Sequence, residues 1–231
     1  MEYFDNFPSL VYDIDNTGNG ELLTHILRRF QIAKAVKDNV NTFDRYTIKD
    51  GESPDLLAYK VYGDTQYHWV LLMFNDIYDP FLQWPVAENH LIEYAKVKYG
   101  SEKALYYPHH FEDSNGEPVE YLSMDVDLVS GSNVITNYDV LTGYVSTGKQ
   151  LSGLGTNGAF ITAFTNSSIT LDSTVNVTGR ERLYSFPANA TMVTNYDYEV
   201  QQNNLKRRIK LPKQSQLTKI IQQVENVLKS S

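Results

Sequence analysis

The placement of proline and glycine constrains this chain most, and it is densest in residues 45–85. Ser53 followed by Pro54 puts an N-cap before a proline at the first helical position, where the missing N–H costs nothing. Leu56, Leu57, Val61 and Tyr62 follow at helical spacing until Gly63 stops the helix. A second helix is expected from Asp64 or Thr65 through Trp69, Leu72 and Met73 to about Asn75, with Asp76 helping to end it and Pro80 barring continuation. Ahead of both, Tyr46-Thr47-Ile48 reads as a short strand that turns through Lys49-Asp50-Gly51-Glu52. Trp69 and Leu72 recur at core spacing, so strand, two helices and loop predict one compact module.

Residues 1–20 mix isolated apolar side chains, Phe4, Phe7, Leu10, Val11 and Tyr12 among them, with the turn formers Asn16-Thr17-Gly18-Asn19-Gly20. They predict an extended arm that does not fold alone. From Glu21 to about Asn39, Leu23, Ile26, Leu27 and Phe30 fall on one helical face. Arm and helix either dock on a partner or pack on their own domain. A further helix is expected over residues 86–99, closed by Gly100. Residues 104–107 and 119–122 flank Asp113-Ser114-Asn115-Gly116 and predict a hairpin. Residues 125–200 turn rich in Thr, Ser, Val, Asn and Gly, and between Leu128 and Gly179 only Asp139, Lys149 and Asp172 are charged. Alternating patches such as Ser168-Ile169-Thr170-Leu171 predict several short strands there. Pro212 is read as a helix start, and Leu217, Ile220, Ile221, Val224, Val227 and Leu228 form an apolar stripe that needs a partner in cis or in trans. The predicted fold class is α+β in five segments: an arm and helix (1–44), the module (45–85), a helix and hairpin (86–124), a β-rich subdomain (125–200) and a terminal amphipathic helix (201–231).

Composition narrows the chemistry. The chain has 231 residues, 42% of them hydrophobic and 21% charged, which suffices for a real core. Lys and Arg number 20 against 28 Asp and Glu, and the net charge of −8 argues against nucleic-acid binding through a basic surface. Cys is absent, which removes disulfides, thiolate metal ligands and a Cys nucleophile, and fits assembly in a reducing cytoplasm. The N-terminal sequence lacks the pattern of a signal peptide and no run approaches the roughly 20 apolar residues of a membrane span, so neither secretion nor insertion is expected. With 17 Tyr and 10 Phe the chain is well supplied with side chains that suit interfaces.

No catalytic, cofactor-binding or metal-binding residue is predicted. Asp13-Ile14-Asp15-Asn16-Thr17-Gly18 resembles half a calcium loop, but the twelfth position is Thr24, where a bidentate carboxylate is required. Asp125-Val126-Asp127 is a weaker case. His109 and His110 are neighbours on an expected strand, which would point them to opposite faces; with Glu112 they offer a zinc ligand set, but one without HExxH-type spacing, and surface or packing histidines are the ordinary reading. His25, His68 and His90 stand alone. Nucleophile-elbow, P-loop and dinucleotide signatures are missing. Asp76 with Asp79, or Glu112 with Asp113, would be a hydrolase's carboxylate pair, although surface carboxylates are the ordinary reading. Lys206, Arg207, Arg208, Lys210 and Lys213 form a basic cluster suited to phosphate or an acidic protein face, or simply a solvated junction.

The run from Tyr46 to Pro85 resembles the LysM module, a βααβ fold known for binding N-acetylglucosamine-containing glycans. Its usual closing strand is replaced by Asp79-Pro80-Phe81-Leu82-Gln83-Trp84-Pro85. More specifically, Tyr62-Gly63-Asp64, Trp69-Val70-Leu71-Leu72-Met73, Asn75-Asp76 and Tyr78-Asp79-Pro80 resemble the baseplate wedge protein fifty-three family of contractile-tailed, T-even-type phages. The resemblance extends to Phe7-Pro8, Leu27-Arg28-Arg29, Asn115-Gly116 and residues 204–210, and leaves residues 125–194 as an insertion or an elaborated arm. It implies a non-enzymatic virion subunit of the tail baseplate, assembled in the host cytoplasm without cofactors. Its partners would be wedge proteins six, seven and twenty-five and neighbouring wedges, which it would join into a ring. Phe4, Phe7, Leu10, Tyr12, Tyr78, Phe81, Trp84, Ile220, Val224 and Leu228 are the candidate partner-binding residues. The alternative is a glycan-binding module acting on peptidoglycan or chitin, with Trp84, Tyr78 and Asn75 lining its groove.

Overall fold

The segment around the two short helices folds as its caps dictate. The computed structural model describes residues 7–229 apart from 14, 15, 17, 27–29, 154 and 157. In chain order the elements begin with β1 (Ser9–Tyr12), β2 (Glu21–Thr24), α1 (Lys34–Lys37), β3 (Phe43–Thr47), α2 (Pro54–Tyr62), α3 (His68–Phe74), α4 (Pro80–Gln83) and α5 (Glu88–Tyr99). Strands β4 (Pro108–Glu112), β5 (Pro118–Val119), β6 (Leu122–Leu128), β7 (Val134–Thr142), β8 (Ile161–Phe164), β9 (Ser168–Leu171), β10 (Gly179–Ser185) and β11 (Thr191–Thr194) follow. The chain ends with α6 (Asn195–Lys206), β12 (Arg208–Pro212) and α7 (Gln214–Lys229). Residues 1–94 with 199–231 form one unit and residues 95–198 another.

In the first unit, α2 starts at Pro54 and ends on Gly63, whose φ of 79° only glycine adopts without strain. Asp64 caps the 3-10 turn Thr65–Tyr67 by accepting the N–H of Gln66, and α3 follows directly. The partner of β3 comes from the far end of the chain. β12 runs antiparallel to it, with Arg208 opposite Thr47 and Pro212 opposite Phe43. Pro212 therefore ends a strand, and the last helix begins at Gln214, two residues later than the sequence predicts. Tyr62 Oη donates to the Pro212 carbonyl at 2.8 Å and ties α2 to that strand. Leu217, Ile220, Val224 and Leu228 of α7 are buried in the same apolar cluster as Leu57, Trp69, Leu71 and Phe74. The amphipathic helix thus has its partner in cis.

Of the helix expected over residues 21–39, positions 27–29 lie outside the described residues, residues 21–24 pair with the arm instead, and Lys34–Lys37 form α1. β1 and β2 are antiparallel, with Leu10 opposite Leu23 and Tyr12 opposite Glu21. An extended arm has unpaired backbone groups, and an adjacent strand satisfies them where a helix would not. Phe30 and Ile32 are buried, and the Phe30 ring meets Phe7 edge-on at 5.8 Å and Trp69 at 6.3 Å.

The second unit holds a five-stranded antiparallel sheet in the order β10-β6-β7-β9-β8 and a three-stranded one in the order β11-β4-β5. Leu122, Met124, Val126 and Leu128 of β6 alternate inward, and with Ile135, Ile169 and Leu183 they build a separate core. The hairpin turns at Gly116, but residues 103–106 make a 3-10 turn where a strand is expected, so its first strand starts at Pro108.

Candidate functional site

Pro80 opens α4 and the Asp79 carboxylate accepts the N–H groups of Phe81 and Leu82 at 3.0 and 3.3 Å. The Gln83 amide oxygen reaches back to the N–H groups of Tyr78 and Asp79 at 2.8 and 2.9 Å, closing the loop on itself. Trp84 then anchors it, its indole N–H donating to the Glu52 carbonyl at 2.8 Å inside the core. On this braced support Phe81 is 94% exposed, Leu82 63% and Tyr78 59%. Val11, Tyr12 and Leu22 of the β1–β2 ribbon are exposed as well.

The ten candidate partner-binding residues therefore separate. Tyr12, Tyr78 and Phe81 are exposed and Leu10 is half-buried. Phe7, Trp84, Ile220, Val224 and Leu228 are buried in the first core, where they hold the unit together and offer no free surface. Phe4 lies outside the described residues. Leu82 shares this exposed surface, and an apolar residue in a one-turn helix has no periodicity to mark it in the sequence. Of the residues a glycan groove would use, Trp84 is buried and the Asn75 amide is spent on Leu71 and Lys210, each at 2.8 Å.

Polar groups elsewhere are similarly engaged. Glu52, 4% exposed, accepts from Lys60 Nζ at 2.7 Å, Tyr46 Oη at 2.9 Å and the Lys49 N–H at 3.2 Å. Burial alone would raise its pKa, but these three donors outweigh it and the net shift is downward. The same burial, with the Glu52 bond, raises Tyr46. Asn203, also buried, exchanges two 2.8 Å bonds with the backbone of Val86.

The carboxylates of the nominal pairs are each engaged in local contacts. Asp76 is held by Lys37, which lowers its pKa, Asp79 caps α4, Asp113 accepts the N–H groups of Asn115 and Glu117, and Glu112 receives His110. Asp125 makes a two-point pair with Arg182 at 2.6 and 2.9 Å, and Asp127 and Asp139 share Arg180. Asp13 accepts the Gly18 N–H at 2.7 Å, as a turn residue does, while Asp15 lies outside the described residues. His109 and His110 do come together, contrary to the alternation argument. The β4–β11 register shifts between Val193, opposite His110, and Thr194, opposite Pro108, and the two Nδ1 atoms sit 2.9 Å apart. Among the described residues no three metal-ligating groups converge. In the basic cluster, Lys206 donates to the Leu82 carbonyl, Arg207 to Asp50, Lys210 to Asp38 and Lys213 lies near Asp44.

A family model described as base plate wedge protein 53 matches residues 3–139, more than half of the chain. The chain belongs to this family. It is similar to baseplate wedge protein gp53 of Enterobacteria phage T4, at 36% identity over 75 residues, 31% of this chain and 36% of that relative. That alignment spans about a third of the relative's length. The family is, by its description, one of base plate wedge proteins. The matched span takes in the β1–β2 ribbon, β3, α2, α3 and the α4 knob, and it ends inside β7, beyond the point where an insertion is expected. β12 and α7, which complete the first unit, fall outside it. Among the described residues no helix is long and apolar enough to cross a membrane.

Proposed function

We propose that the chain is a non-catalytic linker of the baseplate, joining neighbouring wedges and helping to close their ring through contacts with other wedge proteins of the kinds numbered six, seven and twenty-five. The observation that carries this reading is Phe81, an almost fully exposed ring on a loop braced by Asp79, Gln83 and buried Trp84. A free aromatic on a rigid support suits an interface anchor, because little conformational entropy remains to be lost on docking. Tyr78 and Leu82 widen the same knob, and Leu10 and Tyr12 offer a second contact on the ribbon. Contacts of different surfaces, repeated about a rotation axis, close into a ring.

The test is co-expression of the tagged chain with the other structural proteins of its own tail gene cluster, followed by purification and negative-stain imaging. Recovery of a defined wedge-like complex is expected, and Phe81→Ser should abolish it while leaving the melting temperature unchanged. A chain that stays monomeric among those proteins would sink the reading.

A further inference from the structure

The outer face of the β3–β12 ribbon gathers Arg45, Arg208 and Lys210. Lys210 faces Arg45 and Arg208 faces Thr47, and residues opposite or two apart share a face. Both backbone groups of Lys210 turn away from β3 to the Asn75 amide, at 2.8 Å each. Arg45 and Lys210 are thus a non-hydrogen-bonded pair, the arrangement that brings facing side chains closest. The neighbouring bonds agree with this phase, since Ile48 N–H donates to the Arg207 carbonyl and Lys213 N–H to that of Thr42. Like charges in such a pair destabilise the ribbon.

These residues line an open cleft of about 850 Å³, to which α1 contributes Lys34 and Lys37. Lys37 is tied to Asp76 and Lys210 to Asp38, but among the described residues no carboxylate pairs with Lys34, Arg45 or Arg208. In a chain of net charge −8 this is a local inversion of sign. We propose that the cleft receives an acidic segment of a partner polypeptide, whose carboxylates meet Lys34, Arg45 and Arg208. Planar guanidinium groups take carboxylates at two points. Asp38 and Asp76 on the walls repel a uniformly charged phosphate chain, whereas a polypeptide sets its acids at intervals and leaves room for them. The inference rests on the assembly reading only for the occupant being a protein.

The test uses the full chain and a fluorescein-labelled peptide rich in Asp and Glu, with binding followed by fluorescence anisotropy at low and high salt. The peptide should bind and weaken with salt. The double variant Arg45→Thr, Arg208→Thr should lose about tenfold or more in affinity. Arg45→Thr alone should raise the melting temperature by about 1–3 °C as the like-charge pair is relieved. Opposite movements of binding and stability are what a merely structural Arg45 would not produce. Absence of binding, equal affinity in the double variant or a falling melting temperature would overturn the inference. So would tighter binding of inorganic polyphosphate or single-stranded DNA that the same variant abolishes. A chain that co-purifies with wedge proteins yet ignores the peptide loses this inference and keeps the assembly role, while peptide binding without co-purification does the reverse.

Discussion

Asn75 does for Lys210 what another strand would do, donating to its carbonyl and accepting from its N–H. From the sequence Asn75 reads as a helix terminator or a groove residue and not as a strand partner, because Lys210 lies 135 residues away. Asn75→Ala should cost about 2 kcal/mol in urea unfolding, as both backbone groups lose their partner at a half-buried strand edge. Glu52 makes a second prediction, this one in pH. Its folded-state pKa lies below the ordinary 4.5, so its stabilisation is present at neutral pH and is lost as pH falls through that depressed value. Tyr46→Phe removes one of the three donors, raises the pKa of Glu52 and should move the onset of acid unfolding to higher pH, which a pH titration of circular dichroism reads directly.

At the level of elements, α7 and the β1–β2 ribbon carry opposite lessons. The stripe of α7 was plain in its 3.6-residue spacing, but spacing identifies an apolar face and does not name what covers it. Since Ile220 faces the core, Ile220→Ala should lower stability by about 3 kcal/mol, and Lys219→Ala on the exposed face should stay within about 0.5 kcal/mol. Equal, small effects in urea melts would mean that the helix is held by a partner instead. In residues 21–24 the same spacing gives a strand, because a short apolar run fits helix and strand alike, and the arm's need for a backbone partner settles the matter. The register shift beside His109 defeated alternation for a related reason, as strand register is set by the partner strand.

Across the whole molecule, the first unit is assembled from both ends of the chain, with the second unit's residues between them. Closing β3 against β12 asks the chain to pay a long loop-closure entropy before the pairing is rewarded. A chain ending at residue 207 lacks both β12 and α7, so α2 and α3 should lose their amide protection in hydrogen exchange. Strands β6 to β10 draw their core from residues 122–183 and should keep theirs. Uniform protection in the shortened chain would show that the first unit does not need its distant strand.

The sequence by itself determined α2, α3, the turn at Gly116, the presence of several short strands between residues 125 and 194 and the family resemblance, because caps, prolines, glycines and alternation act over a few neighbouring residues. It did not determine which strand closes β3, where α7 lies, or which aromatic side chains stay free. Phe81 and Trp84 stand three residues apart in one apolar run, yet one is 94% exposed and the other is core. Only tertiary structure separates them, since burial depends on groups far away in the chain: Trp84 finds the carbonyl of Glu52, and Phe81 finds no cover among the described residues.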